Sequence, residues 1–294
     1  MRIPPALLVL LAFLAAGRAA YGASAEAICQ TPAAIFCDDF EAGSFDMWQD
    51  GYSPSVHAIT TVPANVYRGQ KALQATYLGG SNGAGWLTRW FMPGFDHTFA
   101  RAYVKFEPGW QCSGGACSKL FVFYGNRVDN QWSGFGQAGV CPKGTDYYYA
   151  GVATLPWYVQ PDPGEVILYS YYPGMPTQPD GQTCWGAFGF LDDPRTALQT
   201  GVWHCLEVEV QANTPGARDG FQRVWVDGAL KREMLNMRWR DTTDVRTNAF
   251  QLSFSGSPGT TEHVWVDNVV VSTQRIGCVS AGTPLAAPTD LRVQ

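Results

Sequence analysis

Beyond residue 25 the chain alternates apolar and polar residues with a period of two, and the 3.6-residue rhythm of an amphipathic helix is nearly absent. Such runs fall at residues 34–40, 72–78, 85–91, 99–106, 119–125, 146–153, 165–172, 204–212, 221–228, 249–256 and 262–272. Gly, Pro, Asn and Asp cluster between them, and the chain carries 32 Gly and 19 Pro, ample for the turns such strands need. Short strands in succession with no helices between them predict an all-β protein, folded as an antiparallel β-sandwich.

The same alternation assigns faces. Leu206, Val208 and Val210 point one way and Glu207 and Glu209 the other, which reads as a core face and a solvated outer face. Arg101, Tyr103 and Lys105 share a face of a second strand, a less usual set. Residues 213–228, NTPGARDGFQRVWVDG, set two turn signals around one aromatic strand, with Val224 and Val226 opposite Trp225 and Asp227. This run reads as scaffold.

The ends of the chain change the picture next. Arg2, a short apolar run and the small residues Ala23-Ser24-Ala25 read as a secretion signal over residues 1–25, so that the mature chain begins near Glu26. No later stretch reaches about 18 apolar residues, so no membrane span is expected. One domain is expected over residues 26–278, with a Pro- and Ala-rich tail over 279–294 that resembles the opening of a fibronectin type III module. The expected location is secreted or periplasmic, the expected state a monomer.

Eight cysteines, at positions 29, 37, 112, 117, 141, 184, 205 and 278, fit disulfide pairing in an oxidising compartment better than metal binding, since they lack paired CxxC spacing. Cys112 with Cys117 and Cys141 with Cys184 are the expected pairs; the partners of the other four are left open. A net charge of −5 argues against a nucleic-acid partner. There is no HExxH and no ExDxxE run, which disfavours the hydrolases built on those motifs.

Several segments resemble secreted bacterial proteins of the concanavalin A-like jelly-roll fold: CDDFE near the start, NTPGARDG, VWVDG and, near the end, VWVDNVVVS. More narrowly, RAYVKFEPGW, the GG and SKL that follow it, NTPGARDGFQRVWVDG and MRWRD resemble the family-14 polysaccharide lyases, over roughly residues 35–278. The resemblance implies a secreted lyase that cleaves a uronate-containing polysaccharide by β-elimination, bound along a concave sheet. It implies a Lys in a GGKLPG-like segment, matched by Lys119, and a Tyr-x-Tyr pair, matched by Tyr169 and Tyr171. The Ser-x-Arg pair that the family would also supply has no counterpart in YYYAGVATLPW.

Elimination needs the carboxylate neutralised, the neighbouring proton removed and the departing oxygen protonated. Arg101 or Lys105 could neutralise, Lys119 or Tyr169 could act as base, and Tyr171 could donate. Trp90, Tyr103, Tyr124 and Tyr149, with Trp86, Tyr147 and Trp157, could line a sugar groove, because flat rings with polar tips suit sugar faces. The resemblance also implies structural Ca²⁺ where the first and last strands meet, held by Asp39, Glu41 and Asp267; the chemistry itself needs no cofactor. Each assignment has an ordinary alternative: a surface lysine, core tyrosines, acids that cap turns. A non-catalytic carbohydrate-binding or cell-envelope protein of the same fold is the rival reading.

Overall fold

A computed structural model describes residues 26–112, 117–156, 159–189, 197–256 and 259–280. The expected secretion signal, Trp157 and all but the first two residues of the expected tail lie outside the described residues. Among the described residues, two short 3₁₀ helices (Ala27–Gln30 and Pro63–Asn65) accompany fourteen strands: β1 (Ala34–Asp38), β2 (His57–Thr60), β3 (Ala72–Tyr77), β4 (Trp86–Phe95), β5 (His97–Phe106), β6 (Ser118–Arg127), β7 (Tyr147–Leu155), β8 (Glu165–Tyr171), β9 (Ala187–Gly189), β10 (His204–Gln211), β11 (Gly220–Val226), β12 (Ala229–Met237), β13 (Val245–Ser253) and β14 (Glu262–Ser272). Every pairing is antiparallel.

The strands form two sheets. The larger runs β12-β11-β10-β5-β14-β3-β2, with β1 also on β14, and the smaller runs β4-β13-β6-β7-β8-β9. One long strand, β14, therefore serves two partners on one edge, β3 along its first half and β1 along its second. Between the sheets lies one apolar core, to which Leu206, Val208, Val210, Val224 and Val226 contribute from the larger sheet and Phe121, Phe123, Val152, Leu168 and Phe250 from the smaller. These are the alternate positions that the period of two marked out.

Asp227 and Gly228 both adopt positive φ, 52° and 82°, as a tight hairpin turn between β11 and β12 requires. Asn213, at the head of the NTPG segment, is buried and binds across the turn. Its side-chain oxygen accepts from Trp239 N and Arg240 N, and its amide nitrogen lies within hydrogen-bonding reach of the carbonyls of Thr214, Ala217 and Arg240. Removing it would leave buried backbone groups unpaired, at about 1–3 kcal/mol each.

At β10 the outer face of the larger sheet is covered, contrary to the reading of Glu207 and Glu209. Glu207 is 1% exposed and accepts from the backbone amides of Ile276 and Gly277, because the segment after β14 folds back over β10. Glu209 is held between His97 and Arg223. Four disulfides tie the chain: Cys29–Cys37, Cys112–Cys117, Cys141–Cys184 and Cys205–Cys278, the last fixing that returning segment to β10. No helix among the described residues is long and apolar enough to cross a membrane.

Candidate functional site

The outer face of the smaller sheet is built from the positions that point away from the core: Trp90 on β4, Ala249 and Gln251 on β13, Val122 and Tyr124 on β6, Tyr149 on β7, Tyr169 and Tyr171 on β8. Most of them pack into a second, aromatic-rich cluster with Tyr147, Phe135 and Met175. Registers set their spacing: Tyr124 pairs with Tyr149, and Tyr149 with Tyr171. A register shift between Lys119 and Phe121 on β6 lets Lys119 join this face beside Ala153.

Lys119 lies with its ammonium 5.2 Å from the ring centre of Tyr169 and 5.8 Å from that of Tyr149. The Tyr169 and Tyr171 hydroxyls are 3.1 Å apart. Lys119, Tyr124, Tyr147, Tyr149 and Tyr171 line a pocket of about 150 Å³, whose remaining wall is the segment Gly134, Gly136, Gln137 and Ala138. The Cys141–Cys184 disulfide ties the end of that segment to the loop between β8 and β9, and a backbone bond from Cys184 N to Gly139 O reinforces it. Tyr147 donates from its hydroxyl to Val140 O at 2.5 Å, holding the wall from below.

Burial shapes the proton chemistry here. It pulls the Lys119 ammonium below its ordinary value, because the charged form loses hydration. The same desolvation pushes the hydroxyls of Tyr124, Tyr147, Tyr149 and Tyr169 above the usual tyrosine range, and for Tyr169 the hydrogen bond to Tyr171 adds to it. The site thus shifts Lys119 toward the neutral amine and these phenols toward the protonated form.

Of the residues expected from sequence, this face brings together Lys119, Tyr169, Tyr171, Trp90, Tyr124 and Tyr149. Arg101, Tyr103 and Lys105 are elsewhere. They share a face, as alternation implied, but it is the outer face of the larger sheet, with the whole core between them and Lys119. Arg101 is fully buried and paired with Glu26, and donates to Asn268 O at 3.0 Å. Tyr103 is stacked on Tyr67 at 3.6 Å and bonds to the backbone of Val279. Lys105 donates to Ala64 O and Asn65 Oδ1. All three are covered by chain and offer nothing to a groove.

The acids expected to hold Ca²⁺ are engaged by backbone amides. Asp39 Oδ1 accepts from Glu41 N, and Glu41 Oε1 from Gln70 N and Lys71 N. Asp267 accepts from the amides of Tyr67, Arg68 and Asn268. Each carboxylate has at least one oxygen engaged by backbone N–H groups, and among the described residues no three His, Cys, Asp or Glu side chains converge as a metal site.

Sequence reading missed the wall residues 134–138 and the contribution of Phe135, Trp132 and Phe188. The signal available was WSGFGQAG, an aromatic and glycine-rich run with no strand pattern. On β7 the outward positions are Tyr149, Gly151 and Ala153, so no arginine stands there. A Cβ at Gly151 would lie 2.5 Å from the Tyr149 ring and 2.6 Å from Tyr169 O, leaving no room for one.

The two-sheet fold is similar to that of several solved polysaccharide lyases. The marine PL-14 alginate lyase from Aplysia kurodai superposes with a TM-score of 0.61 at 16% identity, covering 82% of this chain and 99% of its own. The alginate lyase Aly36B gives 0.59 at 19% identity, covering 82% and 92%. An endo-β-1,4-glucuronan lyase from the fungus Trichoderma reesei gives 0.55 at 18% identity, covering 82% and 96%. No family model and no curated protein matches the sequence. At these identities the likeness establishes the fold.

Proposed function

We propose that this chain is an exported polysaccharide lyase that cleaves at a uronate by β-elimination. The observation that carries the reading is that Lys119 and Tyr171 line one pocket, with the Lys119 ammonium over the ring of Tyr169, whose hydroxyl bonds to that of Tyr171. Neutral Lys119 takes the proton from the carbon beside the uronate carboxylate. The electron pair left behind becomes a carbon–carbon double bond as the glycosidic carbon–oxygen bond breaks, and the departing oxygen takes a proton from the tyrosine pair. Tyr171, hydrogen-bonded to Tyr169, is the donor. Where β7 lacks an arginine, the Gln137 amide in the same pocket is the donor left to face the carboxylate. The four disulfides and the segment over residues 1–25 support export to the periplasm or medium, and the chain acts as a monomer.

The test is the ultraviolet absorbance of the unsaturated product from residues 26–294 incubated with uronate polysaccharides. Lys119→Ala and Tyr171→Phe are each expected to lower kcat by about 100-fold or more while leaving the melting temperature near wild type. Normal turnover in both variants would sink the assignment. The bare β7 favours a second reading, a carbohydrate-binding protein that keeps the fold without turnover; binding with no product in the same panel would select it.

A further inference from the structure

Alternation along β11 puts Gln222 on the same face as Val224 and Val226, so an amide stands where the pattern calls for an apolar side chain. Gln222 and Ser170 are both completely buried between the sheets. The Gln222 Oε1 accepts from Ser170 Oγ at 2.7 Å, and its Nε2 donates to Gly151 O at 3.2 Å. One side chain of the larger sheet thus crosses the core and holds two neighbouring strands of the smaller, β8 through Ser170 and β7 through Gly151.

Those two strands carry the candidate site. Ser170 lies between Tyr169 and Tyr171, whose side chains point to the opposite face, and Gly151 stands across from Tyr169 in the β7–β8 register. The two rings that the Lys119 ammonium lies over come one from each strand, Tyr149 from β7 at 5.8 Å and Tyr169 from β8 at 5.2 Å. The placement of Lys119 against the Tyr169–Tyr171 hydroxyl pair therefore depends on how β7 and β8 sit on the core behind them. Apolar packing resists separation of the sheets but has no preferred direction. A hydrogen bond between two buried side chains adds little net stability, since both left water to form it, yet it fixes a distance and an angle.

We propose that Gln222 and Ser170 are positioning residues, whose bond through the core sets the placement of Tyr169 and Tyr171 against Lys119. The proposal rests on the lyase reading for its effect on turnover, and on the geometry alone for its effect on the rings.

The double variant Ser170→Ala/Gln222→Met removes both partners at once, with Met close to Gln in size, and leaves neither side chain unpaired. Its melting temperature is expected to stay near wild type. Two measurements then follow the site. The proton shift of the Lys119 ε-methylene is displaced from its ordinary position by the ring currents of Tyr149 and Tyr169, and that displacement is expected to shrink in the double variant. On a uronate polysaccharide kcat is expected to fall about tenfold with KM within about twofold of wild type, because the groups that bind are kept and only their alignment changes. A Lys119 shift identical to wild type, or wild-type kcat, would overturn the proposal. Should the double variant not fold, Ser170→Ala alone, which cuts the bond to β8 and adds no bulk, carries the same measurements with the same outcomes. Absence of product from the wild-type protein would instead remove the lyase reading, and the Lys119 shift alone would then decide the proposal.

Discussion

Lys119 gains its reactivity from its surroundings rather than from its type. Because burial lowers its pKa, the neutral amine becomes available at lower pH than an ordinary lysine would allow. Turnover should therefore rise with pH along a limb whose midpoint lies below the ordinary lysine value of 10.5, and a kcat/KM profile whose limb sat at that value would refute the role. A second titratable residue bears on stability. His57 is packed against Phe45, Tyr52 and Phe254, its Nδ1 accepts from Ser53 N, and burial lowers its pKa to about 4. Its unfolded pKa is near 6.5, so its contribution is complete above that value and is lost as pH falls from there to about 4. Denaturant midpoints should drop across this window, and an NMR titration should find His57 unprotonated at pH 6. What sequence could say at this scale was limited by depth. Period two placed Arg101, Tyr103 and Lys105 correctly on one face, but nothing local reveals that Glu26, the 64–67 loop and Val279 come from far along the chain to cover them.

At the scale of elements, strands were legible where alternation lasts five residues or more, and β1, β3 and β14 fall where the pattern put them. β2 and β9, of four and three residues, are too short to show a period. β12 is an edge strand with both faces partly open, so selection for an apolar face is weak and only its turn was legible. The pocket wall was invisible for a different reason: residues 134–138 have no regular structure and gain their position from the Cys141–Cys184 bond, which closes a loop of 43 residues. Replacing both cysteines by serine should cost about 2–4 kcal/mol of stability in a denaturant melt and should raise KM more than it lowers kcat, because the wall shapes the pocket without supplying Lys119 or the tyrosines. A KM unchanged in that variant would show that the wall does not touch substrate.

For the whole molecule, two sheets around one core, four disulfides and a doubly paired β14 hold the sandwich together. Chelator should leave the melting temperature unchanged, and a fall of several degrees would restore calcium to the account. The resemblance read from sequence located the fold well, since the turn and strand runs that carry it are the scaffold; it located the site less well, since Arg101, Tyr103 and Lys105 belong to the other sheet. That division gives the molecule a front and a back. Glu26 and Val279, near the two limits of the described chain, are both fastened to the back, on Arg101 and Tyr103, while Lys119 and the aromatic cluster face forward. A surface or partner module attached through either limit would thus hold the protein from behind, with its groove turned outward toward a polymer too large to diffuse to it.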